Sequence, residues 1–516
     1  MTGSVAPPAS VRRIRWALTG LLLAVLLATT AAAPVHAATP VATHIVQLEP
    51  GVSPADGAAL VRSAGGRVTG KLPIINGLAV RLPVSGVKAV QRDGRVKALT
   101  ANARVAPQST DIDPSSLATA YSASVQATKV WGSATGRGVG VAVIDTGIAG
   151  GLADFKGDDG RSRVIASAVV NPAATTAKDT FGHGTHVAGI LAGDGTRRTD
   201  SLRGQYVGIA PEANLISIKA ADDAGRATVL DIIYGLQFAV DHRAKYNIRV
   251  VNLSLESTTP NSYKTDPLDA AVESAWLKGL VVVAAAGNRG TDADAVQYAP
   301  GNDPYVISVG ALDDQMSQAD GDDSRATWSS RGITQDGFSK PEIHAPGARI
   351  VSTLAPGSAF ASLCPTCIVD LEMIRAGGTS MAAPMVSGAA ALLLQKYPNL
   401  TPNQVKGVLI GSSRLVNNRF PAVDVYSAIK SVAAGNVPVA NQGLTPNPLV
   451  SGTTGDIDYT RSSWSRSSWS TADSSLGLDF TRSSWSRSSW SSTDSSGIET
   501  SRSSWSRSSW STSWTK

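Results

Sequence analysis

The chemistry in this chain begins at Gly377-Gly378-Thr379-Ser380-Met381-Ala382-Ala383-Pro384. A serine hydroxyl is a weak nucleophile unless a neighbouring base takes its proton. Here the glycines mark a turn, and the apolar run from Met385 to Leu394 reads as a buried helix, so the turn delivers Ser380 to a first helical turn. Unpaired amide N–H groups and the positive end of the helix dipole are found there, and both suit an oxygen about to become anionic. Pro384, read as lying in or just after that turn, fits because little is lost there by lacking an N–H.

Such a serine needs a base, and histidine is the usual one. Of the six histidines, His36 and His44 fall in N-terminal segments, which leaves His183, His186, His242 and His344. His183 stands in Phe181-Gly182-His183-Gly184-Thr185-His186-Val187-Ala188-Gly189-Ile190, where flanking glycines let backbone approach closely and a tightly packed helix follows. His186 lies on the same helical side one turn deeper and reads as a packed, hydrogen-bonded neighbour. The base in turn wants a buried acid to hold its tautomer and stabilise the imidazolium. Asp145, directly after the β-branched run Gly138 to Ile144, is the candidate.

These groups must be carried by rigid elements. From about residue 110 to 434, strands alternate with helices, the pattern of a parallel sheet covered on both faces. Gly138–Ile144, Val250–Leu255 and Leu280–Ala285 are continuous apolar runs, as doubly covered strands should be. In open parallel sheets the strands' C-terminal ends form the ligand crevice. Asp145, Ser254 and Asn288 each sit at such an end, so they are expected to converge.

The three stretches Val-Ile-Asp-Thr-Gly, His-Gly-Thr-His-Val-Ala-Gly and Gly-Thr-Ser-Met-Ala-Ala-Pro, in that order, resemble the subtilisin-like serine proteases (subtilases) over roughly residues 41 to 434. The resemblance implies a subtilisin-like α/β fold, with a parallel sheet and helices on both faces, and a secreted serine endopeptidase working through an acyl-enzyme. It lends Asp145, His183 and Ser380 the roles of catalytic triad. It lends Asn288, with the Ser380 N–H, the role of oxyanion hole. Ser254 and Leu255 resemble the strand on which the family lays its substrate, and the resemblance implies substrate binding for Glu256, Ala285, Ala286 and Gly287 as well. The family usually continues after Ser-Leu with glycine where this chain has Glu256; a carboxylate there either favours basic residues in the substrate or points to solvent. Relatives often bind structural calcium, but no ligand set is specific enough to name, and no cofactor is required.

The rest of the chain divides around this domain. Residues 1–37 carry Arg12, Arg13 and Arg15, an apolar run from Trp16 to Ala33 and then Val35-His36-Ala37, the order of a secretory signal. Residues 38–107 read as a small α+β unit: a strand at His44–Leu48, a helix opened by Ser53-Pro54 and closed by Gly65-Gly66, and a hairpin around Asn76-Gly77. That order resembles the family's inhibitor-type pro-segment, which implies a transient inhibitor removed by a cut between Ala103 and Thr110. The catalytic domain then spans 108–434, and a linker 435–451. Residues 452–516 repeat Arg-Ser-Ser-Trp-Ser-Arg-Ser-Ser-Trp-Ser, a composition that builds no core and is expected to be disordered until bound. Its tryptophans are costly to leave in water, so contact with glycans, with the cell wall or with the protease surface, or a passive tail, all stay open.

With 42% hydrophobic residues the chain can hold one large core, and a net charge of +6 over 516 residues makes no case for nucleic acid. The only two cysteines, Cys364 and Cys367, suit a short-loop disulfide in an oxidising compartment, where it could steady the loop before Ser380. Two other readings compete. His183, His186, Cys364 and Cys367 as a zinc site would leave Asp145 and Asn288 idle. A binding protein would keep the fold and use the Trp repeats to hold a polymer. The partners expected are protein or peptide substrates and the chain's own pro-segment.

Overall fold

The computed structural model describes residues 41–107, 120–195, 205–317, 319, 321–448, 450 and 452–456. The expected signal segment, residues 108–110 of the cut window and the Trp repeats lie outside them.

The first unit is β1 (Val41–Leu48), α1 (Pro54–Ser63), β2 (Arg67–Leu72), β3 (Gly77–Pro83), α2 (Val84–Gln91) and β4 (Val96–Ala101). Its sheet runs β2-β3-β1-β4, antiparallel throughout. Helix α1 starts where Ser53 Oγ accepts the Asp56 N–H at 2.7 Å and Pro54 occupies the first turn. Val46, Leu48, Val61, Leu78, Val80, Leu82 and Val90 close a small core of its own. The hairpin before β3 is longer than expected. Asn76 takes the left-handed conformation (φ 47°), but Pro73–Ile75 forms a 3₁₀ turn rather than the end of a strand. The reason lies in packing, since Ile74 and Ile75 join the large core of the second unit. A final strand, β5 (Arg104–Pro107), leaves this sheet altogether.

The second unit continues with α3 (Tyr121–Ser124), β6 (Gly140–Asp145), β7 (Val164–Val169), α4 (His183–Ala192), β8 (Asn214–Lys219), β9 (Ala227–Thr228), α5 (Val229–His242), β10 (Ile248–Leu253), β11 (Leu255–Ser257), α6 (Pro267–Leu277), β12 (Val281–Ala285) and β13 (Ile307–Asp313). Three short strands follow, β14 (Ser324–Arg325), β15 (Gly332–Ile333) and β16 (Ser339–Lys340), and then β17 (Ile343–Pro346) and β18 (Ile350–Thr353). The chain ends in α7 (Ala359–Leu363), β19 (Ile368–Asp370), β20 (Met373–Ala376), α8 (Thr379–Lys396), α9 (Pro402–Gly411), β21 (Arg414–Val416), β22 (Phe420–Ala422) and α10 (Val425–Ala433). The main sheet has the order β21-β22-β17-β13-β12-β10-β6-β8-β7, with every neighbouring pair from β22 to β7 parallel. The chain fills β7 and β8 on one side of β6, then crosses to β10 on the other. That reversal opens the crevice at the C-terminal ends of β6 and β10. Helix α8 is buried from Thr379 through Leu394, which explains its alanine-rich, nearly uniform apolarity. The first unit docks on α5 and α6, where Gly70 lies so near Tyr234 that a Cβ would come within 2.4 Å of its hydroxyl.

The linker expected over 435–451 is not a spacer. It forms no helix, yet it straps the chain back onto α6, and the strap continues into the first residues of the expected tail. Tyr305 Oη donates to Leu444 O (3.0 Å) and Tyr263 Oη to Thr445 O (3.2 Å). Asn447, fully buried, donates from Nδ2 to the carbonyls of Tyr263 (3.2 Å) and Lys264 (3.1 Å), and its backbone N–H donates to the Glu273 carboxylate. Ser274 Oγ reaches Gly455 O at 2.9 Å, and Lys278 pairs with Asp456. A chain ending after residue 434 would leave Glu273 and these tyrosines without their partners, at about 3 kcal/mol or more. In thermal melts it should unfold roughly 5 °C or more below a chain ending after Asp456. Coincident melts would show that the strap contributes nothing.

Candidate active site

Asp145 is the last residue of β6 and His183 the first of α4. Their contact is a 2.8 Å hydrogen bond from His183 Nδ1 to Asp145 Oδ1, with neither side chain more than 3% exposed. A carboxylate only accepts, so Nδ1 carries the proton and Nε2 keeps its lone pair, as a general base requires. That Nε2 is buried and has no hydrogen-bond partner among the described residues.

Helix α4 starts on Gly182 (φ 105°), which has no side chain to cap it. Asp179 caps it from outside. Its carboxylate accepts from Gly182 N (2.7 Å), Thr185 N (2.9 Å), Thr185 Oγ1 (2.6 Å) and Thr146 Oγ1 (2.8 Å). The strand end carrying Asp145 and the helix start carrying His183 are thereby tied to one group. Burial pushes the Asp179 carboxyl up, against the four hydrogen bonds that hold it down. Gly184 has a related role: a Cβ there would come within 2.2 Å of the Gly147 carbonyl, so glycine is what allows the two segments to close up. His186 donates from Nε2 to Ile374 O at 3.1 Å, and its ring meets Phe360 edge-on. Burial, helped by the neighbouring His183, pushes its pKa down to about 3 and keeps it neutral.

Ser380 is the second residue of α8, entered through Gly378 at φ 152°. Its Oγ donates to Ser254 O at 3.1 Å rather than to His183. Pro384 lies deeper than the sequence suggested, at the sixth helical position. A residue there would ordinarily donate its N–H to the Ser380 carbonyl, and proline has none. Ser254 Oγ supplies the bond instead, at 2.8 Å. Ser254 is held by Asn252 Nδ2 (2.9 Å), and Asn252 Oδ1 by Ser387 Oγ (2.8 Å), so a buried polar chain joins the end of β10 to α8. Asn288 Oδ1 accepts from both the N–H and the hydroxyl of Thr379, each at 3.0 Å, which turns the amide's donor end away from Thr379. Sequence reading passed over Asp179, Asn252 and Thr379. Asn252 alone left a clear trace, a polar residue inside a run of buried aliphatics.

Residues 104–107 lie as a strand between two others, β11-β5-β9, antiparallel to both. Pro107 pairs with Leu255, Ala106 with Glu256 and Val105 with Ser257, while Val105 and Arg104 pair with Ala227 and Thr228. Strand β9 is only two residues long and has no periodicity to find. Ala285 ends β12 and Ala286 and Gly287 follow it, with Gly287 close to β11: a Cβ there would come within 2.8 Å of Glu256 Oε2. The solvent-directed reading of Glu256 does not hold. Its side chain is 13% exposed and pairs with Arg289 at 3.3 Å.

Cys364 and Cys367 form a disulfide, with Cα atoms 5.3 Å apart. The loop that carries it is tied to both sides of the site: Ala359 N reaches Thr180 O and Phe360 N reaches Phe181 O, each at 2.9 Å, and Ile368, next to Cys367, pairs with Ile374 of β20, the strand that leads into Gly377. Oxidised sulfurs, together with histidines engaged by Asp145 and Ile374, do not fit the zinc reading. Among the described residues no group of His, Cys, Asp or Glu is placed to hold a metal ion, and no helix is long and apolar enough to cross a membrane.

Two outcomes follow from these contacts. Ser254→Ala removes the donor to the Ser380 carbonyl and should cost about 1–3 kcal/mol. In a Pro384→Ala background the restored helical N–H takes its place, so the same change should cost about 1 kcal/mol less in denaturant melts; strict additivity would refute the substitution of one donor for the other. For His186, a folded pKa of about 3 below the unfolded 6.5 means that its contribution is fully present above pH 6.5 and is lost as pH falls toward 3. From pH 7 to 4.5, wild type should therefore lose about 2–3 kcal/mol more than His186→Gln, which keeps the donor to Ile374. Parallel losses would argue against a neutral, buried His186.

Comparison with known proteins agrees with this geometry. The subtilase family model matches residues 136–424. Serine protease AprX of Bacillus subtilis is 39% identical over 309 residues, covering 59% of this chain and 67% of that one. Subtilisin E of the same species is 31% identical over 363 residues, covering 70% and 81% respectively. The crystal structure of fervidolysin from Fervidobacterium pennivorans, a keratinolytic enzyme related to subtilisin, superposes with a TM-score of 0.58 at 24% identity, over 78% of this chain and 62% of that one, and it speaks for the fold alone. A pure binding protein is no longer an adequate account: the chain belongs to the subtilase family and is a serine endopeptidase, a hydrolase of peptide bonds.

Proposed function

We propose that this subtilase is a secreted, self-maturing endopeptidase in which Asp145, His183 and Ser380 act as the triad and Asn288, with the Ser380 N–H, as the oxyanion hole. One observation carries the reading: residues 104–107 lie between β9 and β11, the two strands a peptide substrate would join, and run toward Ser254 and Ser380. Main-chain pairing of this kind reads backbone first and side chains second, as an endopeptidase requires.

Turned from Ser254 O, Ser380 Oγ attacks the scissile carbonyl while His183 Nε2 takes its proton. Asp145 stabilises the resulting imidazolium through the Nδ1–H bond. The tetrahedral oxyanion is met by the Asn288 amide and the Ser380 N–H. His183 then gives its proton to the leaving amine, an ester remains on Ser380, and water activated by the same imidazole releases the acid.

Residues 38–107 act first as intramolecular inhibitor. The last described pair of this strand is Pro107 with Leu255, and of the bonds expected to be cut between Ala103 and Thr110 we take Gln108–Ser109, just beyond it, as the one cleaved. Export rests on the basic, apolar, small-residue order of residues 1–37, and the Trp repeats suit stacking on glycans or the cell wall.

The secreted protein, treated with a fluorophosphonate probe and mapped by mass spectrometry, should carry label on Ser380 and a mature N-terminus at Ser109. Ser380→Ala should stay unlabelled and unprocessed. Absence of label from a folded chain free of its pro-segment would overturn the triad assignment, and processing of the Ser380→Ala protein made alone would overturn self-maturation.

A further inference from the structure

We propose that the ion pair between Glu256 and Arg289 sets the preference for the residue just before the scissile bond, favouring a neutral amide side chain, glutamine, over lysine or glutamate. The inference rests on the endopeptidase reading above and adds the substrate class of the same site.

In the register of β5 on β11, a substrate residue following the one paired with Leu255 would meet Ser254, whose carbonyl receives Ser380 Oγ, and its side chain would lie toward Glu256 and Gly287. A Cβ on Gly287 would meet Glu256 Oε2 at 2.8 Å and Ser330 Oγ at 2.7 Å, and Gly287 itself has φ 108°, so this wall bears no side chain. Arg289 is fixed beside it. Its backbone N–H donates to Ser330 Oγ at 2.9 Å, and its guanidinium lies 4.0 Å from the centre of the Tyr298 ring. The pair Glu256–Arg289, at 3.3 Å, is mostly shielded on the carboxylate side and about one-third exposed on the guanidinium side.

Such a wall is polar with opposite charges in balance. A lysine entering it would compete for Glu256 and strip Arg289 of its partner, and a glutamate would do the reverse; either leaves a partly desolvated charge unpaired. An aliphatic side chain would bury against the pair without satisfying it. A primary amide both donates and accepts, so glutamine can bond Glu256 and Arg289 together without displacing either.

The test compares kcat/KM on Arg-Val-Ala-Pro-X peptides carrying a chromogenic leaving amine, X being Gln, Lys, Glu or Leu, with mature enzyme and two variants. Wild type should cleave X = Gln about tenfold or more faster than Lys or Glu, a difference of about 1.4 kcal/mol in barrier. Arg289→Ala, which exposes Glu256, should raise the Lys-to-Gln ratio about tenfold, and Glu256→Gln should raise the Glu-to-Gln ratio about as much. The proposal is overturned if wild type prefers Lys, Glu or Leu, or if folded variants keep the wild-type ratios within about twofold. The wild-type ratios decide even if a variant fails to fold. Hydrolysis with flat ratios sinks this proposal alone, whereas no hydrolysis of any peptide and no label on Ser380 would sink the endopeptidase mechanism beneath it.

Discussion

The Ser380 carbonyl is the point on which the site turns. Pro384 deprives it of a helical donor, and the Ser254 hydroxyl fills the vacancy while the Ser254 carbonyl receives the Ser380 hydroxyl. Two adjacent groups of one residue thus hold two adjacent groups of another, and the end of β10 is locked to the start of α8. Asn252 and Ser387 extend the lock one layer into the core. In a buried setting such a network tolerates no half measures, since each member left unpaired costs its full desolvation. Placement of Ser380 and placement of the Ser254 strand end are therefore one structural event.

The same economy appears on the histidine side. Gly182 allows the sharp entry into α4 but cannot cap it, and Asp179 caps it from three residues upstream while also holding Thr146 beside Asp145. Phe360 meets both His183 and His186 edge-on, and it belongs to the disulfide-bearing insertion, so that loop shields the imidazole pair from one side. His186 is uncharged there because burial, together with the neighbouring His183, outweighs the backbone carbonyls that favour its proton. Asn288 is oriented indirectly: Thr379, immediately before Ser380, accepts the Gly287 N–H and donates to Asn288 Oδ1, so the residue next to Ser380 sets the direction of the amide.

Outside the site, two segments owe their conformation to the catalytic domain rather than to themselves. The turn Pro73–Ile75 is drawn out of a simple hairpin because its isoleucines are shared with the larger core. The described residues after α10 form no helix but bury Asn447 and Val450 against the domain, beyond the last residue of the family match. Both cases show tertiary contact overriding what local chemistry prefers.

By itself the sequence determined the strands, the three motifs and the residues that end them, because continuous β-branched runs and glycine-flanked polar residues are local patterns with few alternative meanings. Asp145, Ser254 and Asn288 at strand ends, and His183 and Ser380 at helix starts, were legible for that reason. What only the tertiary structure decided were the relations between distant segments. Asp179 acts across a loop, Arg289 finds Glu256 from the loop after β12, β9 exists only because β5 lies beside it, and the strap at Asn447 reads as linker until it meets Glu273. None of these has a period or a spacing, since each is an energy gained between residues that the chain itself does not bring together, and so only the folded molecule records it.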